Sequence, residues 1–192
     1  MIYEYNANKY FIPASNTKLF TFYAGLKLLG DSIPGLKYSI TGDSLVFWGT
    51  GDPSFLNPDL PESKILSFLK EREEKLFYLP PSYEEPFFGR GWAWNDYNSS
   101  YSTEIAAFPL YGNKVTFNFT PGKTVPRANP SYFQESLSHN FHGASNPIIK
   151  RDIYQNNFLY GLYKGNEKYS QIVPFRLSSQ LVIELLSDTL KR

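Results

Sequence analysis

The pattern of apolar positions predicts a helix near each end of the chain. The first begins at the N-cap Ser15 and ends at Gly30. Its apolar residues fall on two flanks: Leu19, Phe22, Tyr23, Leu26 and Leu29 on one, Phe20, Ala24 and Leu28 on the other. Because so little of this helix is polar, we expect it to be buried nearly all round. The second helix, 179–190, is capped by Ser178 or Ser179.

Alternating apolar and polar residues predict short strands between these helices. They cover 2–5, 36–40, 44–48, 76–79, 114–119 and 156–163. A Thr41-Gly42-Asp43 turn joins the second strand to the third as an antiparallel hairpin. Asp59 is expected to cap a further short helix with Pro61 in its first turn. A strand, a helix and then an antiparallel hairpin indicate an α+β fold.

Composition excludes several classes of protein. The 192 residues are 42% hydrophobic and 19% charged, as in a globular domain or a domain with an insertion. The net charge of +1 gives no argument for a nucleic-acid partner, and the absence of cysteine excludes disulfides and thiolate sites. The two histidines, His139 and His142, have no carboxylate at ligand spacing, so neither a metal nor a cofactor is expected. No apolar run approaches transmembrane length, and residues 1–5 do not resemble a signal peptide.

Ser15 and Lys18 form a candidate nucleophilic pair. They lie three residues apart, so both side chains point to nearly the same side of the helix start. The positive end of the helix dipole and desolvation would both favour a neutral lysine, which could accept the serine proton. In the alternative, Ser15 only caps the helix and Lys18 extends to water. Spacing alone leaves both interpretations open.

Four motifs in order give this pair a context. They are Pro13-Ala14-Ser15-Asn16-Thr17-Lys18-Leu19, Gly49-Thr50-Gly51-Asp52-Pro53, Gly91-Trp92-Ala93-Trp94-Asn95-Asp96-Tyr97 and Phe108-Pro109-Leu110-Tyr111-Gly112-Asn113. Together they resemble the D-alanyl-D-alanine carboxypeptidase/endopeptidase family, which comprises the class C low-molecular-weight penicillin-binding proteins (peptidase family S13). The resemblance runs from about Tyr3 to the end and is strongest over 3–55 and 89–119.

The resemblance implies a serine-transpeptidase/β-lactamase-like domain interrupted by a sheet-rich inserted domain. On that basis 1–55 begins the first domain, 56–172 forms the insertion, and 173–192 is a helix that returns to the first domain. It also implies that Ser15 attacks the carbonyl between two D-alanines of a peptidoglycan stem peptide, with Lys18 as general base. The N–H of Ser15 would supply half of the oxyanion hole, and β-lactams would acylate the same serine. No cofactor is implied, and the expected location is periplasmic or otherwise extracytoplasmic.

The chain departs from the family pattern in its later motifs. The family needs a second motif, Ser-x-Asn, and a third, Lys-Thr-Gly. Ser138-His139-Asn140 has the letters of the second but lies within the inserted region, and Gly122-Lys123-Thr124 has those of the third in the wrong order. In family order the second motif would follow a helix like 179–190, so we expect this chain to be an N-terminal portion that is inactive alone.

An incomplete domain has consequences for association. An unfinished sheet and apolar helix faces would favour self-association. One alternative is a non-catalytic module that binds peptidoglycan or a partner through the aromatic residues Trp92, Trp94, Tyr97 and Tyr101. Another is an esterase or β-lactamase-like hydrolase with the same serine–lysine pair. The three motifs at 49–53, 91–97 and 108–113 disfavour it, because they resemble the S13 family.

Overall fold

The contacts within the chain define two compact units. The computed structural model describes residues 3–61, 63–82, 87–89, 91–139 and 149–191. The first unit is Met1–Ile33 and the second is Pro34–Arg192. The boundaries expected after residues 55 and 172 follow the organisation of the family rather than these contacts, and they stay predictions.

The first unit is built around one helix. A 3-10 turn, Ala14–Asn16, leads directly into α1 (Thr17–Leu29), and Gly30 ends the helix with φ 71° as predicted. The N-cap prediction was wrong: Asn16 precedes α1, and Ser15 makes no capping hydrogen bond. The reason is local, because the backbone already turns in the 3-10 segment and Ser15 lies inside it. The strand expected at 2–5 is also absent over the described residues 3–5.

The burial predicted for α1 was wrong as well. None of its residues is buried, and only Gly25 is half-buried. A helix that is apolar on most of its circumference needs covering surface on several sides, and the described residues leave α1 without it. The large exposed side chains of α1 are Leu19, Phe20, Phe22, Tyr23, Leu26, Leu28 and Leu29.

The second unit opens with a three-stranded sheet, sheet A. Strands β1 (Leu36–Thr41) and β2 (Ser44–Gly49) form the predicted antiparallel hairpin, and β3 (Lys75–Tyr78) lies parallel to β2. Helix α2 (Ile65–Lys70) supplies the crossover between β2 and β3. This helix begins after Lys64 rather than at Asp59, because turns occupy the residues from 53 to 60.

Two further sheets follow, each of three strands. Their strands are β4 (Lys114–Phe119), β5 (Arg127–Asn129), β6 (Leu137–His139), β7 (Ile149–Arg151), β8 (Phe158–Tyr160) and β9 (Tyr169–Pro174). Sheet B has the order β5-β4-β9 and is antiparallel throughout; sheet C has the order β6-β8-β7, with β6 parallel to β8. The strand predicted at 114–119 is confirmed as β4, and the one predicted at 156–163 shortens to β8.

Helix α3 (Ser179–Leu190) packs into the core of this second unit. Of the two predicted caps, Ser178 is the N-cap and accepts a hydrogen bond from the N–H of Leu181 at 3.1 Å, whereas Ser179 is the first residue of the helix. The buried face of α3 belongs to the same hydrophobic core as fully buried phenylalanines in and next to sheets B and C. The buried residues of α3 are Leu181, Val182, Leu185 and Leu186, and the phenylalanines are Phe117, Phe133, Phe158 and Phe175.

One close contact joins sheets B and C, and another joins sheet A to the segment before β4. The side chain of Gln171 on β9 bonds both backbone groups of Ile149 on β7: Oε1 accepts at 2.9 Å and Nε2 donates at 2.8 Å. One amide thus takes the place of a strand neighbour between sheets B and C. At the end of β2, a Cβ on Gly49 would lie 2.2 Å from the carbonyl oxygen of Ala107, so only glycine fits there.

Candidate active site

The structure brings the two predicted catalytic side chains together. Lys18 Nζ donates a hydrogen bond to Ser15 Oγ over 3.3 Å. The 3-10 turn and the first turn of α1 place both side chains on one side of the helix start, and Thr17 Oγ1 closes the turn by bonding the Ala14 carbonyl at 2.8 Å. A hydroxyl within reach of an amine is the arrangement that serine–lysine nucleophiles require.

The pair is open to water. Ser15 and Lys18 are both exposed, and within the described residues no other side chain hydrogen-bonds to either. Catalysis by such a pair depends on excluding water and on donors that stabilise the oxyanion. The described part of the first unit supplies the candidate nucleophile and the candidate base, but no enclosure around them.

The two segments whose sequences partly match the second and third family motifs, 138–140 and 122–124, belong to a strand and a turn over their described residues. Ser138 is exposed on β6, and the imidazole of His139 packs against the ring of Tyr160 with centroids 5.3 Å apart. Asn140 and His142 lie outside the described residues. Lys123 belongs to a turn, in which its N–H bonds the carbonyl of Thr120 at 3.0 Å.

The glycine motif after β2 forms a structural turn. Asp52 accepts hydrogen bonds from the N–H and the hydroxyl of Ser54 at 3.1 and 2.7 Å. The N–H of Gly51 bonds the Ala107 carbonyl at 2.7 Å, which ties sheet A to the segment that carries the fourth motif. The motif is therefore an Asx turn that connects two parts of the core.

The third motif presents aromatic rings to solvent. Trp92 and Tyr101 are exposed, and Trp94 is 77% exposed. Trp92 stacks on Phe88 with centroids 5.8 Å apart and meets Tyr101 edge-on at 6.5 Å. The exposed rings of this segment are therefore Trp92, Trp94 and Tyr101, of which Trp92 and Tyr101 cluster with the half-buried Phe88; Tyr97 is half-buried.

The buried Arg151 contacts two residues at the end of that aromatic segment, Tyr97 and Asn98. Its side chain on β7 is only 3% exposed and donates to the carbonyls of Pro174 and Asp152 at 2.9 and 2.8 Å. The guanidinium lies 5.4 Å from the ring centroid of Tyr97. The backbone N–H of Arg151 donates a hydrogen bond to Asn98 Oδ1 at 2.7 Å. Burial lowers the pKa of Arg151, and the charge of Glu104 opposes that shift.

Glu104 is a second buried charged residue near this segment. Glu104 is 5% exposed and accepts hydrogen bonds from Leu177 N–H at 2.9 Å and Arg176 Nε at 3.3 Å. Arg176 also lies over the ring of Phe87 at 5.7 Å. Sequence reasoning missed this network. The available signal was weak: in Ile149-Lys150-Arg151, strand alternation points the arginine to the same side as a core isoleucine.

Two absences complete the description of the site. Among the described residues, no group of three or more His, Asp or Glu side chains could hold a metal ion. No helix in the described part of the chain combines the length and apolar character needed to cross a bilayer.

The fold resembles solved structures of a penicillin-binding protein. The crystal structure of penicillin binding protein 4 (dacB) from Haemophilus influenzae matches with a TM-score of 0.61 and 18% identity, over 99% of this chain and 47% of that one. The same protein complexed with a novel β-lactam matches with a TM-score of 0.56 and 17% identity, over 99% and 45%. This chain thus spans about half the length of these proteins. No curated protein matches the sequence.

The family assignment comes from the sequence itself. Residues 1–146, more than half of the chain, match the D-Ala-D-Ala carboxypeptidase 3 (S13) family. The protein belongs to this family, and its α+β fold is part of a penicillin-binding protein fold. The resemblance seen in the four motifs is thereby confirmed.

Proposed function

We propose that this chain is the nucleophile-bearing portion of a serine D-Ala-D-Ala carboxypeptidase/endopeptidase that acts on peptidoglycan outside the cytoplasm. The observation that carries the proposal is the 3.3 Å hydrogen bond between Ser15 and Lys18. It lies inside the segment that matches the S13 family. A serine and a lysine at the start of a helix suit acyl transfer, because attack and proton acceptance occur at neighbouring atoms.

The proposed reaction has two halves. Ser15 Oγ attacks the carbonyl carbon between two D-alanines, and its proton passes to Lys18 Nζ, which enters the step as a neutral amine. The C–N bond then breaks, the departing D-alanine takes that proton onto its amine, and an ester on Ser15 remains. Water hydrolyses the ester and restores the hydroxyl. The N–H of Ser15 would donate to the oxyanion in both halves, and a β-lactam would form a stable ester at the same atom.

The proposal includes the domain organisation of the family. Residues 1–55 and 173–192 would belong to the transpeptidase-like domain and 56–172 to the insertion. The second and third motifs would have to come from polypeptide beyond these residues, so that the chain alone turns over no substrate. Groups that act as a unit lose most of their effect when one is missing. Self-association through apolar surface is the remaining part of the proposal.

A fluorescent penicillin tests the proposed chemistry. We expect slow covalent labelling of the wild-type chain at Ser15, none in Ser15→Ala, and unchanged labelling in Ser32→Ala, a matched exposed serine of the first unit. Mass spectrometry of the labelled peptide locates the adduct. A folded chain without any adduct at Ser15 would refute the nucleophile, and rapid D-alanine release from a stem peptide would refute the incomplete site.

A non-catalytic module that binds peptidoglycan or a partner is the second candidate. The exposed rings of Trp92, Trp94 and Tyr101 favour it. Rings such as Trp94 on the surface are typical of interaction sites. If the chain is a module, Trp94→Ala should reduce sedimentation with insoluble peptidoglycan while Ser15→Ala should not. Equal binding by wild type and Trp94→Ala would remove the support for this candidate.

A further inference from the structure

The turn that carries the candidate nucleophile is held by two parallel contacts, each spanning three residues. One is the hydrogen bond between Lys18 and Ser15. The other joins Thr17 to Ala14: the threonine hydroxyl donates to the Ala14 carbonyl oxygen over 2.8 Å, and the backbone N–H of Thr17 bonds the same oxygen. The proposed chemistry uses the first contact and leaves the second without a role.

The backbone of this turn is strained. Ala14 has φ 46°, in the left-handed region that residues with a Cβ rarely adopt. Such a conformation persists only where its surroundings over-determine it. Here the Asn16 N–H bonds the Pro13 carbonyl at 2.9 Å, and Thr17 holds the Ala14 carbonyl through two donors. Residues 13–17 supply all of these bonds themselves, so the bonds do not depend on what packs against α1.

The Ala14 carbonyl sets the direction of the Ser15 N–H. Both groups belong to one trans peptide unit, which is planar, so its C=O and N–H bonds point in opposite directions. Because the carbonyl oxygen points along α1 towards Thr17, the N–H of Ser15 points away from the body of the helix. The first N–H groups of a helix lack an acceptor within it and carry the positive end of its dipole. The N–H of Ser15 is therefore directed to where an anion is best stabilised.

The Thr17 hydroxyl also stays clear of the nucleophile. Its acceptor is the Ala14 carbonyl, and among the described side chains only Lys18 hydrogen-bonds Ser15 Oγ. A threonine in a helix often bonds a carbonyl three or four residues back, and the usual consequence is local. In this turn that carbonyl shares its peptide unit with the proposed oxyanion donor, so the contact has a consequence for the reaction.

We propose that Thr17 is a positioning residue: its hydroxyl holds the Ala14–Ser15 peptide unit and so aims the N–H of Ser15 at the oxyanion. This role rests on the proposed function for the identity of the reaction, whereas the orientation of the amide is measurable without any reaction. Preorganised donors act by being in place before charge develops in the transition state. Loss of the hydroxyl should therefore slow acylation rather than weaken binding.

Residual dipolar couplings of the full chain in solution test the orientation of the Ser15 N–H directly. We expect the Ser15 coupling to fit the structure of the first unit in wild type and in Thr17→Ser, which retains the hydroxyl, and to depart from it in Thr17→Val. Thr21→Val is the matched control, because Thr21 is exposed one turn further along α1. Couplings of residues 18–29 in every variant establish that α1 is intact. A Ser15 coupling in Thr17→Val equal to that of wild type would overturn the proposal.

Labelling of the same chains by fluorescent penicillin tests the consequence for the reaction. The dependence of the labelling rate on penicillin concentration separates binding from acylation. In Thr17→Val the acylation rate constant should fall at least about tenfold with binding unchanged, whereas Thr17→Ser and Thr21→Val should stay within about twofold of wild type. The pH of half-maximal labelling should not move, because it reports the base Lys18 rather than the oxyanion donor.

The outcomes of the two measurements separate this role from the proposed function. An equal fall of the acylation rate in Thr17→Ser, or a shift of the half-maximal pH in Thr17→Val, would overturn the role of the hydroxyl. If wild type is not labelled at Ser15 while the Ser15 coupling still responds to Thr17→Val, the proposed function fails and the aiming of the amide stands.

Discussion

Replacing Arg151 tests how strongly its buried cation holds the second unit together. In Arg151→Met, the carbonyls of Pro174 and Asp152 lose the guanidinium as hydrogen-bond donor. The contact between the guanidinium and the ring of Tyr97 is lost as well. The buried Pro174 carbonyl left without this partner costs about 1–3 kcal/mol, whereas the carbonyl of the exposed Asp152 can bond water instead. The ring contact contributes about 0.5–1 kcal/mol, and removing a desolvated charge returns part of the total. We therefore expect the free energy of unfolding to fall by about 1–3 kcal/mol.

Urea denaturation monitored by circular dichroism measures this loss. At an m-value of about 2 kcal/mol/M, the unfolding midpoint should fall by about 0.5–1.5 M. Lys150→Met is the matched control, because Lys150 is exposed on the same strand and its replacement should change stability by less than about 0.5 kcal/mol. A midpoint for Arg151→Met equal to that of the control would refute the reasoning that the guanidinium satisfies the two carbonyls.

Two other features give predictions. The hydrogen bond from Tyr132 lowers the pKa of Glu184, while burial and the same bond raise the pKa of Tyr132 to about 12. Wild type should therefore lose stability relative to Tyr132→Phe as pH falls below about 4.5, and again as pH rises from about 10 to 12, in thermal melts across pH. At Gly49, alanine would collide with the Ala107 carbonyl, so Gly49→Ala should lower stability by at least about 2 kcal/mol in urea denaturation.

One result would contradict each of the predictions for Tyr132 and Gly49. Parallel pH profiles for wild type and Tyr132→Phe would show that the bond does not couple folding to protonation. For the glycine, Gly25→Ala is the control: no atom lies within 4 Å of the added Cβ, and helix propensity favours alanine by about 1 kcal/mol. If Gly49→Ala were as stable as Gly25→Ala, the close approach at the end of β2 would be wrong.

Regular local patterns explain what the sequence could predict. The alternation in 114–119 predicted β4 at both ends, and the serines at 178 and 179 before an amphipathic run predicted the start of α3 to within one residue. Likewise, the three-residue spacing was enough to expect Ser15 and Lys18 on one side, where the structure places them 3.3 Å apart. Their catalytic roles stay a prediction, because geometry within one turn does not establish chemistry.

Features that depend on distant parts of the chain were not predictable. Burial of α1 requires a covering surface, and its own sequence cannot say whether the described residues provide one. The ion pair between Glu104 and Arg176 links residues far apart in sequence, and neither has a local signal for burial. Strand β6 pairs in parallel with β8, which no turn between them specifies. Tyr111 has φ 55°, a left-handed conformation that a tyrosine rarely adopts and that its sequence therefore does not predict, whereas the following Gly112 and Asn113 are residue types that favour it.

The contact of Gln171 with Ile149 bears on the order in which the second unit folds. Strand β4 pairs with β9 across roughly fifty residues, whereas Arg151 of β7 pairs with Phe158 of β8 across a short hairpin. Loop closure is less costly for the hairpin, so we expect it to form before β9 docks. In that order the glutamine amide engages only when β9 arrives, and its two hydrogen bonds report the joining of sheet B to sheet C. Pulsed hydrogen exchange at the Ile149 amide during refolding should therefore show when the two sheets become one core.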